Sequence, residues 1–286
     1  MPHSQSRPSS AIKCGVDHTE QQQQRTGGDR FEVDSATVRF GGLTALDDVS
    51  LTVLPGEVHG VIGPNGAGKT TLFNVVCGFL TPSAGVLRWR GEELRNLKPH
   101  RLAGLGIART LQGVALFEGM TVLDNVVAGA GVRSKAGFVS SLFGLPKADR
   151  DEARLRDDAM EALEDLGAAK YADRYPGSLP YPVQKRIALA RALVARPQLL
   201  MLDEPAAGLS NDEMDELGDL IGTLAGRMSV MLVEHHMDLV MRVCDSITVL
   251  DFGKVIAEGT PDDVRTDPAV LAAYLGDDVE QHGAVG

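Results

Sequence analysis

The first part of the chain alternates hydrophobic and polar residues in short runs, which is the pattern of half-buried β-strands. The runs are SATVRF at 35–40, VSLTV at 49–53 and GEVHGVIG at 56–63. Pro55 and Gly56 precede the last run and predict a turn between two strands. This region is therefore predicted to begin a β-sheet.

Between residues 121 and 196 the spacing of the apolar residues changes to the period of a helix. One apolar face is formed by Leu155, Ala159, Leu163 and Leu166. Gly167 follows this face directly, and glycine commonly ends a helix. We interpret the middle of the chain as a helical insert.

Strand patterns return after Pro197, in the runs QLLMLD at 198–203, SVMLVEH at 229–235 and SITVLD at 246–251. These runs are apolar on both faces, as in a parallel sheet covered by helices. FGKV at 252–255 predicts a tight turn into a last strand. The pattern as a whole predicts an α/β fold with a mostly parallel core sheet.

The composition of the chain disfavours two classes of function, nucleic-acid binding and zinc binding. The 286 residues are 43% hydrophobic, with a formal net charge of -11 and a sequence pI near 5.1. An acidic chain is a poor nucleic-acid binder, because phosphate neutralisation requires a basic surface. Cys14, Cys77 and Cys244 have no zinc-ligand spacing and suit a reducing cytoplasm.

The sequence predicts neither a membrane-spanning helix nor a signal peptide. No apolar run reaches the roughly 18 to 20 residues of a membrane helix. Residues 1–30 lack the apolar region of a signal peptide and are rich in Ser, Gln, Gly and charge. We predict that they form a disordered polar tail.

A phosphate-binding loop follows the third strand run. Gly63, Gly68, Lys69 and Thr70 fit the G-x-x-x-x-G-K-T spacing, with Gly66 between them. The glycines allow backbone N–H groups to turn inward, and the helix that follows adds its positive dipole end. Lys69 supplies a charge for the phosphates and Thr70 a hydroxyl for Mg²⁺.

A phosphate loop requires a carboxylate partner, and LLMLDEP supplies two. Asp203 ends an apolar strand and is predicted to orient Mg²⁺. Glu204 is placed to act as general base on the attacking water. His235 closes the strand run SVMLVEH, but the chemistry of the residues alone leaves His235 and His236 as alternatives.

The motifs together resemble the ATP-binding subunits of ABC transporters. They are GPNGAGKTT, IARTLQ, LMLDEPAAGL and VEHHMDLVM, in this order, and the resemblance covers residues 32–276. More narrowly, FGGLTALDDVSL, MTVLDNV, DEPAAGL, EGTPDDV and DPAVLAAYLG look like the ATP-binding subunit of branched-chain amino acid importers. The implied fold is a P-loop NTPase of the ABC ATPase type, with an antiparallel β subdomain and a helical insert.

The resemblance also implies residue roles and cofactors, namely ATP and Mg²⁺. Phe40 matches the aromatic residue that stacks on adenine. Gln112 matches the glutamine that contacts Mg²⁺ and the attacking water, and His235 matches the switch histidine. The implied phosphate-binding residues are Gly63, Pro64, Asn65, Gly66, Ala67, Gly68, Lys69, Thr70 and Thr71. The implied Mg²⁺ ligands are Thr70, Gln112 and Asp203, and the implied catalytic residues are Glu204, His235 and Gln112.

The expected domain organisation follows from the same resemblance. An ABC ATPase domain covers 31–276, with its core formed by 31–111 and 197–276 and the helical insert by 112–196. Residues 277–286 form a C-terminal tail.

The segment LPYPVQKR at 179–186 departs from the family pattern L-S-G-G-Q, which in this family faces the phosphate loop of a second subunit. Pro180, Tyr181, Pro182 and Val183 stand where Ser, Gly, Gly and Gln belong. Pro182 has no backbone N–H to offer a phosphate, although proline suits a helix start. We therefore expect a helix that begins normally, in a heterodimer with one competent ATP site. Ser210 is a milder departure near the same interface.

The implied complex is a membrane importer for branched-chain or other hydrophobic amino acids. Its partners are a second ATP-binding subunit, two membrane permease subunits and, indirectly, a substrate-binding protein. The chain would lie peripherally on the cytoplasmic face of the cell membrane. The surface around residues 113–145 is the expected docking site for a permease loop.

Three alternatives remain open. The degenerate segment favours a nucleotide-binding regulatory subunit with little hydrolysis, whereas Glu204 and His235 favour an ATPase. A GTPase or small-molecule kinase is disfavoured because the guanine motif N-K-x-D is absent from the sequence. Urea, other amino acids or small carboxylates are alternative cargoes.

Overall fold

The computed structural model describes residues 29–110, 113–133 and 146–274. The strands are β1 Phe31–Phe40, β2 Leu43–Val53, β3 Val58–Ile62, β4 Ala84–Trp89, β5 Glu92–Glu93, β6 Ile107–Arg109, β7 Leu199–Asp203, β8 Ser229–Val233, β9 Ser246–Asp251 and β10 Lys254–Gly259. The α-helices are α1 Lys69–Val76, α2 Pro99–Leu102, α3 Val122–Gly129, α4 Pro146–Asp165, α5 Tyr181–Leu193, α6 Asn211–Ala225, α7 Met237–Val243 and α8 Pro261–Thr266. The tails predicted at 1–30 and 277–286 lie outside the described residues, apart from Asp29 and Arg30.

The larger sheet has six strands in the order β10, β9, β3, β8, β7, β6. Strand β3 pairs in parallel with both β8 and β9, and β7 pairs in parallel with β6 and β8. Every residue of β3 and β8 is buried, as expected of strands covered on both faces. The predicted mostly parallel core sheet is confirmed, with β10 as its antiparallel edge.

The smaller sheet is antiparallel, in the order β2, β1, β4, β5. Its first hairpin is longer than the sequence pattern predicts, because β1 begins at Phe31 and β2 at Leu43. Asp48 has a φ of 58° and lies where the ladder shifts register, so the alternation of β2 is interrupted there. The antiparallel subdomain expected from the family resemblance is thus present.

The helices α3, α4 and α5 pack together between β6 and β7 in the chain. The predicted apolar face of α4 is buried: Leu155, Ala159, Leu163 and Leu166 all belong to one core cluster. Gly167 follows α4 with a φ of 64°, a left-handed conformation that ends the helix. Within the described ranges, none of the helices has the length and hydropathy needed to span a bilayer.

The parallel strands bring three loops to one edge of the core sheet. Val233, the last residue of β8, is level with Asp203 of β7 and with Val61 of β3. The segments that follow these strands therefore lie side by side at the carboxyl edge, which is where open α/β sheets bind ligands.

A cavity of about 390 Å³ lies beside this edge, between α5 and α6. Its walls include Leu189 of α5, Leu202 of β7, and Leu217 and Leu220 of α6. Asp203 and Glu204 also line it. The helical insert and the core therefore meet across a partly unfilled space.

Candidate functional site

The loop between β3 and α1 has the backbone geometry of a phosphate cradle. Gly63, Gly66 and Gly68 have φ values of 150°, 80° and 106°. A Cβ atom on Gly63 would lie 2.1 Å from the carbonyl oxygen of Leu250, and one on Gly68 would lie 2.9 Å from that of Ala45. Both positions therefore require glycine, because a side chain would collide with a neighbouring carbonyl oxygen and because the backbone has a positive φ there.

Lys69, the first residue of α1, is held inside this loop. Its ammonium donates hydrogen bonds to the carbonyl oxygens of Gly63 at 2.6 Å and Pro64 at 2.8 Å. The side chain is buried, so its positive charge is concentrated within the cradle. The other predicted phosphate-binding residues differ in exposure. Three are exposed, namely Asn65, Gly66 and Thr70, whereas Thr71 is half-buried and Ala67 is buried.

Asp203 and Glu204 lie at the end of β7, next to the loop. Burial raises the pKa of Asp203 to about 6, the negative charges of Glu204 and Glu234 add to the shift, and Arg109 opposes it. Three carboxylates thus share one edge with too little positive charge to balance them. Of these carboxylates, that of Asp203, the predicted ligand, fits Mg²⁺, which prefers oxygen ligands.

Glu204 has an unusual backbone conformation, with a φ of 46°. Few residues other than glycine adopt this region without support from their surroundings. Here the N–H of Glu204 donates to the carbonyl of Val233 at 2.8 Å, and its own carbonyl accepts from the N–H of Ala207 at 3.2 Å. The catalytic candidate is therefore anchored to β8.

Glu234 is a functional residue that the sequence patterns did not reveal. Its carboxylate is fully buried and accepts hydrogen bonds from the N–H groups of Ala206 at 2.8 Å, His235 at 2.7 Å and His236 at 3.1 Å. Burial acts to raise the pKa of Glu234, but hydrogen bonds from His236 and from these backbone groups lower it. The available signal was an acid directly before a pair of histidines.

The carboxylate of Glu234 orients both histidines. Nδ1 of His236 lies 2.9 Å from it, and Nδ1 of His235 lies 3.4 Å from it. Nδ1 of His235 is also 4.0 Å from Glu204, and its side chain is 48% exposed. Glu234, His235 and His236 have metal-ligand atoms within 4.8 Å of one another, but hydrogen bonds already satisfy the carboxylate. His235, rather than His236, faces the general-base candidate.

Two other predicted residues, Gln112 and Phe40, have no described contact with this centre. Gln112 lies outside the described residues. Its neighbour Thr110 is described, and the Thr110 hydroxyl is 3.5 Å from the N–H of Asp203. Phe40 ends β1 with 49% of its surface exposed, so its ring is available to a ligand. The adenine-stacking role of Phe40 stays a prediction.

The segment LPYPVQKR begins a helix despite its prolines. Pro180 caps α5 in an extended conformation, and Pro182 is the second residue of the first turn. The N–H groups of Val183 and Gln184 both bond to the carbonyl of Pro180 at 3.1 Å. The predicted helix start is therefore confirmed, and Pro182 stands where its missing N–H costs the helix nothing.

Comparison with known proteins agrees with this geometry. Residues 46–207 match the family model described as ABC transporter, and residues 254–280 match that of branched-chain amino acid ATP-binding cassette transporters. The chain is 42% identical to the high-affinity branched-chain amino acid transport ATP-binding protein BraF of Pseudomonas aeruginosa, over 86% of this chain and 98% of that protein. It is 41% identical to the corresponding Escherichia coli K12 protein, LivG, with the same coverage.

Solved structures give the same assignment. The ADP conformation of an ATP-binding cassette of an ABC transporter superposes with a TM-score of 0.75 at 31% identity, covering 87% of this chain and 99% of that one. A nucleotide-free cassette gives 0.73 at 30% identity, with coverage of 86% and 99%. The chain therefore belongs to the ABC transporter family, as an ATP-binding subunit that hydrolyses ATP to drive transport.

Proposed function

We propose that this chain energises an importer of branched-chain or other hydrophobic amino acids. The support is the 42% identity to BraF over nearly its whole length, together with the matching segment 254–280. The cargo itself is chosen by other subunits. Those are two membrane permeases and, indirectly, a substrate-binding protein, with this chain on the cytoplasmic face of the membrane.

The observation that carries the ATPase mechanism is the juxtaposition of the Lys69 cradle with Asp203 and Glu204 at one sheet edge. Residues 63–71 bind the phosphates, and Phe40 stacks on the base. Thr70, Asp203 and Gln112 hold Mg²⁺, which when bound neutralises phosphate charge. Glu204 accepts the proton of the attacking water, and His235, 4.0 Å from it, keeps the water in register.

The partner is a second, different ATP-binding subunit. In a sandwich dimer, the α5 start of one subunit faces the phosphate cradle of the other. Pro180 and Pro182 offer neither a hydroxyl nor an N–H there, so this chain contributes poorly to its partner's site. Its own cradle and carboxylates are complete and would be served by the partner's signature segment. One competent ATP site per dimer follows.

Native mass spectrometry of the assembled transporter tests the dimer. We expect one copy of this chain and one of a different ATP-binding subunit. Two copies of this chain would contradict the heterodimer.

Uptake in cells lacking this subunit tests the cargo. Wild-type chain and Glu204→Gln are reintroduced, with Glu258→Gln as the matched control because Glu258 is exposed on the edge strand β10. Leucine, isoleucine and valine uptake should return with the wild type and Glu258→Gln but not with Glu204→Gln. If uptake of these three is normal without the subunit, while urea or small-carboxylate uptake is lost, the cargo assignment is wrong.

A further inference from the structure

Lys185 of α5 makes contacts within its own subunit that the signature pattern does not explain. Its ammonium donates hydrogen bonds to the carbonyl oxygens of Pro205 and Ala207, each at 2.5 Å. These two residues belong to the turn that directly follows Glu204. One half-buried ammonium thus binds two backbone carbonyls from a loop that lies 20 and 22 residues further along the chain.

The turn held by Lys185 is bonded on both sides to the catalytic centre. Ala207 donates its N–H to the carbonyl of Glu204 at 3.2 Å, and Ala206 donates to the buried carboxylate of Glu234 at 2.8 Å. The left-handed backbone of Glu204 persists only if its surroundings fix it. Lys185 supplies that support from the side of the helical insert.

The positive charge of Lys185 suits its position near the carboxylates of Glu234 and Glu204. Burial lowers the pKa of its ammonium, whereas the charges of Glu234 and Glu204 act to raise it. A cation in this place offsets part of the negative charge at the sheet edge. A neutral side chain would leave two carbonyl oxygens without their charged donor, and hydrogen bonds to charged groups are among the stronger ones in proteins.

A second basic residue of α5 also donates to two backbone carbonyls of one segment. Arg191 donates to the carbonyl oxygens of Ala115 at 2.7 Å and Val114 at 3.3 Å. Both acceptors lie in the segment just after Gln112. The helix therefore binds, through its basic side chains, the backbone of two segments that follow predicted site residues in the chain, one after Glu204 and one after Gln112.

We propose that Lys185 is a positioning residue for the ATPase reaction, which fixes the 205–207 turn and hence Glu204 in its own subunit. Helix α5 thus has a task in its own subunit that survives the loss of its signature residues. This explains why the helix is intact although its start departs from the family pattern. The inference rests on Glu204 as the general base proposed above.

Steady-state ATP turnover by the assembled transporter is the first test. Lys185→Met should lower kcat about tenfold or more with little change in KM, because the loop and not the nucleotide contact is altered. Lys185→Arg should recover most of the loss, since a guanidinium also donates to two carbonyls. Lys170→Met is the matched control: Lys170 is exposed and its ammonium lies over the ring of Tyr171.

Amide hydrogen exchange of the purified chain is the second test, and it needs no turnover. Exchange of the peptide covering 204–209 should become at least tenfold faster in Lys185→Met and stay unchanged in Lys170→Met. Unchanged exchange, or faster exchange with wild-type kcat, would overturn the inference. Glu204→Gln separates the two ideas: if it also keeps wild-type kcat, the role of Glu204 fails as well, whereas if it abolishes turnover, only the role of Lys185 fails.

Discussion

The phosphate cradle and the start of α5 are the two places where the proposed dimer would contact ATP, yet they differ in how far they keep the family chemistry. The cradle retains its glycines, its lysine and the neighbouring carboxylates, and each has contacts that hold it in place. The start of α5 retains only its helical backbone, because Pro180 and Pro182 satisfy the helix without offering donors. A helix start and a ligand site thus have separable requirements, and this segment meets only those of the helix start.

The largest expected effect concerns the intact side of this comparison. Glu204→Gln removes the proposed general base while leaving the cradle unchanged, so turnover by the assembled transporter should fall about 100- to 10,000-fold. ATP affinity, measured by equilibrium binding, should stay within a few-fold of wild type. Retained turnover would mean that this chain does not contribute the competent site.

Restoring the degenerate side should produce the next largest effect. The double variant Pro180→Ser, Pro182→Gly supplies a hydroxyl and an N–H, and a preorganised donor is worth about 100- to 1,000-fold in rate. Turnover by the chain alone at high concentration should rise by that order. Pro261→Ser, at the start of α8, is the remote control. If the wild-type chain alone already turns over as fast as the double variant, the prolines are functionally silent.

A stability measurement tests how tightly the cradle is built. Gly63→Ala should lower the free energy of unfolding by about 3 kcal/mol, because its Cβ would meet the Leu250 carbonyl and a left-handed residue is strained. Gly66→Ala should cost only about 1 to 2 kcal/mol, since nothing lies within 4 Å of its Cβ position. Denaturant unfolding measures both. Equal losses would show that the Leu250 contact is unimportant.

The smallest effect is the pH dependence that Asp203 confers. Its pKa is about 6 in the folded chain against an ordinary value of 3.8, so ionisation destabilises the fold. The contribution of Asp203 to the free energy of unfolding is therefore most favourable below about pH 4, where its carboxyl is protonated in both the folded and the unfolded chain. It is lost as the pH rises through 6. Asp203→Asn should therefore be more stable than wild type by about 1 to 2 kcal/mol at pH 8, which is less than the full shift because the carboxyl is partly exposed to solvent, and the difference should vanish near pH 4. A constant difference across this range would contradict the raised pKa.

The parts of the fold that could be predicted are those whose structure is determined by the residues of one short segment. The phosphate loop, the apolar strands and the buried face of α4 each depend on local residue order, and all were found. The strands β4, β5 and β6 were missed. Strand β6 has only three residues and is held by its pairing with β7, which lies almost a hundred residues away in the chain.

The same physical reason limits prediction of the site. Asp203, Glu204 and His235 follow strands and are recognisable from their positions. The role of Glu234 depends on three backbone N–H groups that converge only in the folded chain. Lys185 is harder still, because its acceptors are backbone carbonyls, which every sequence contains.

The cavity between α5 and α6 has a consequence for how the insert and the core can move. Protein interiors are normally packed as densely as organic crystals, whereas this cleft of about 390 Å³ is partly open to solvent and has mainly apolar walls. Closing the cleft would remove water from those walls, which is favourable for apolar surface. A closing swing of the insert should therefore become less favourable on cooling, because the hydrophobic effect weakens at low temperature.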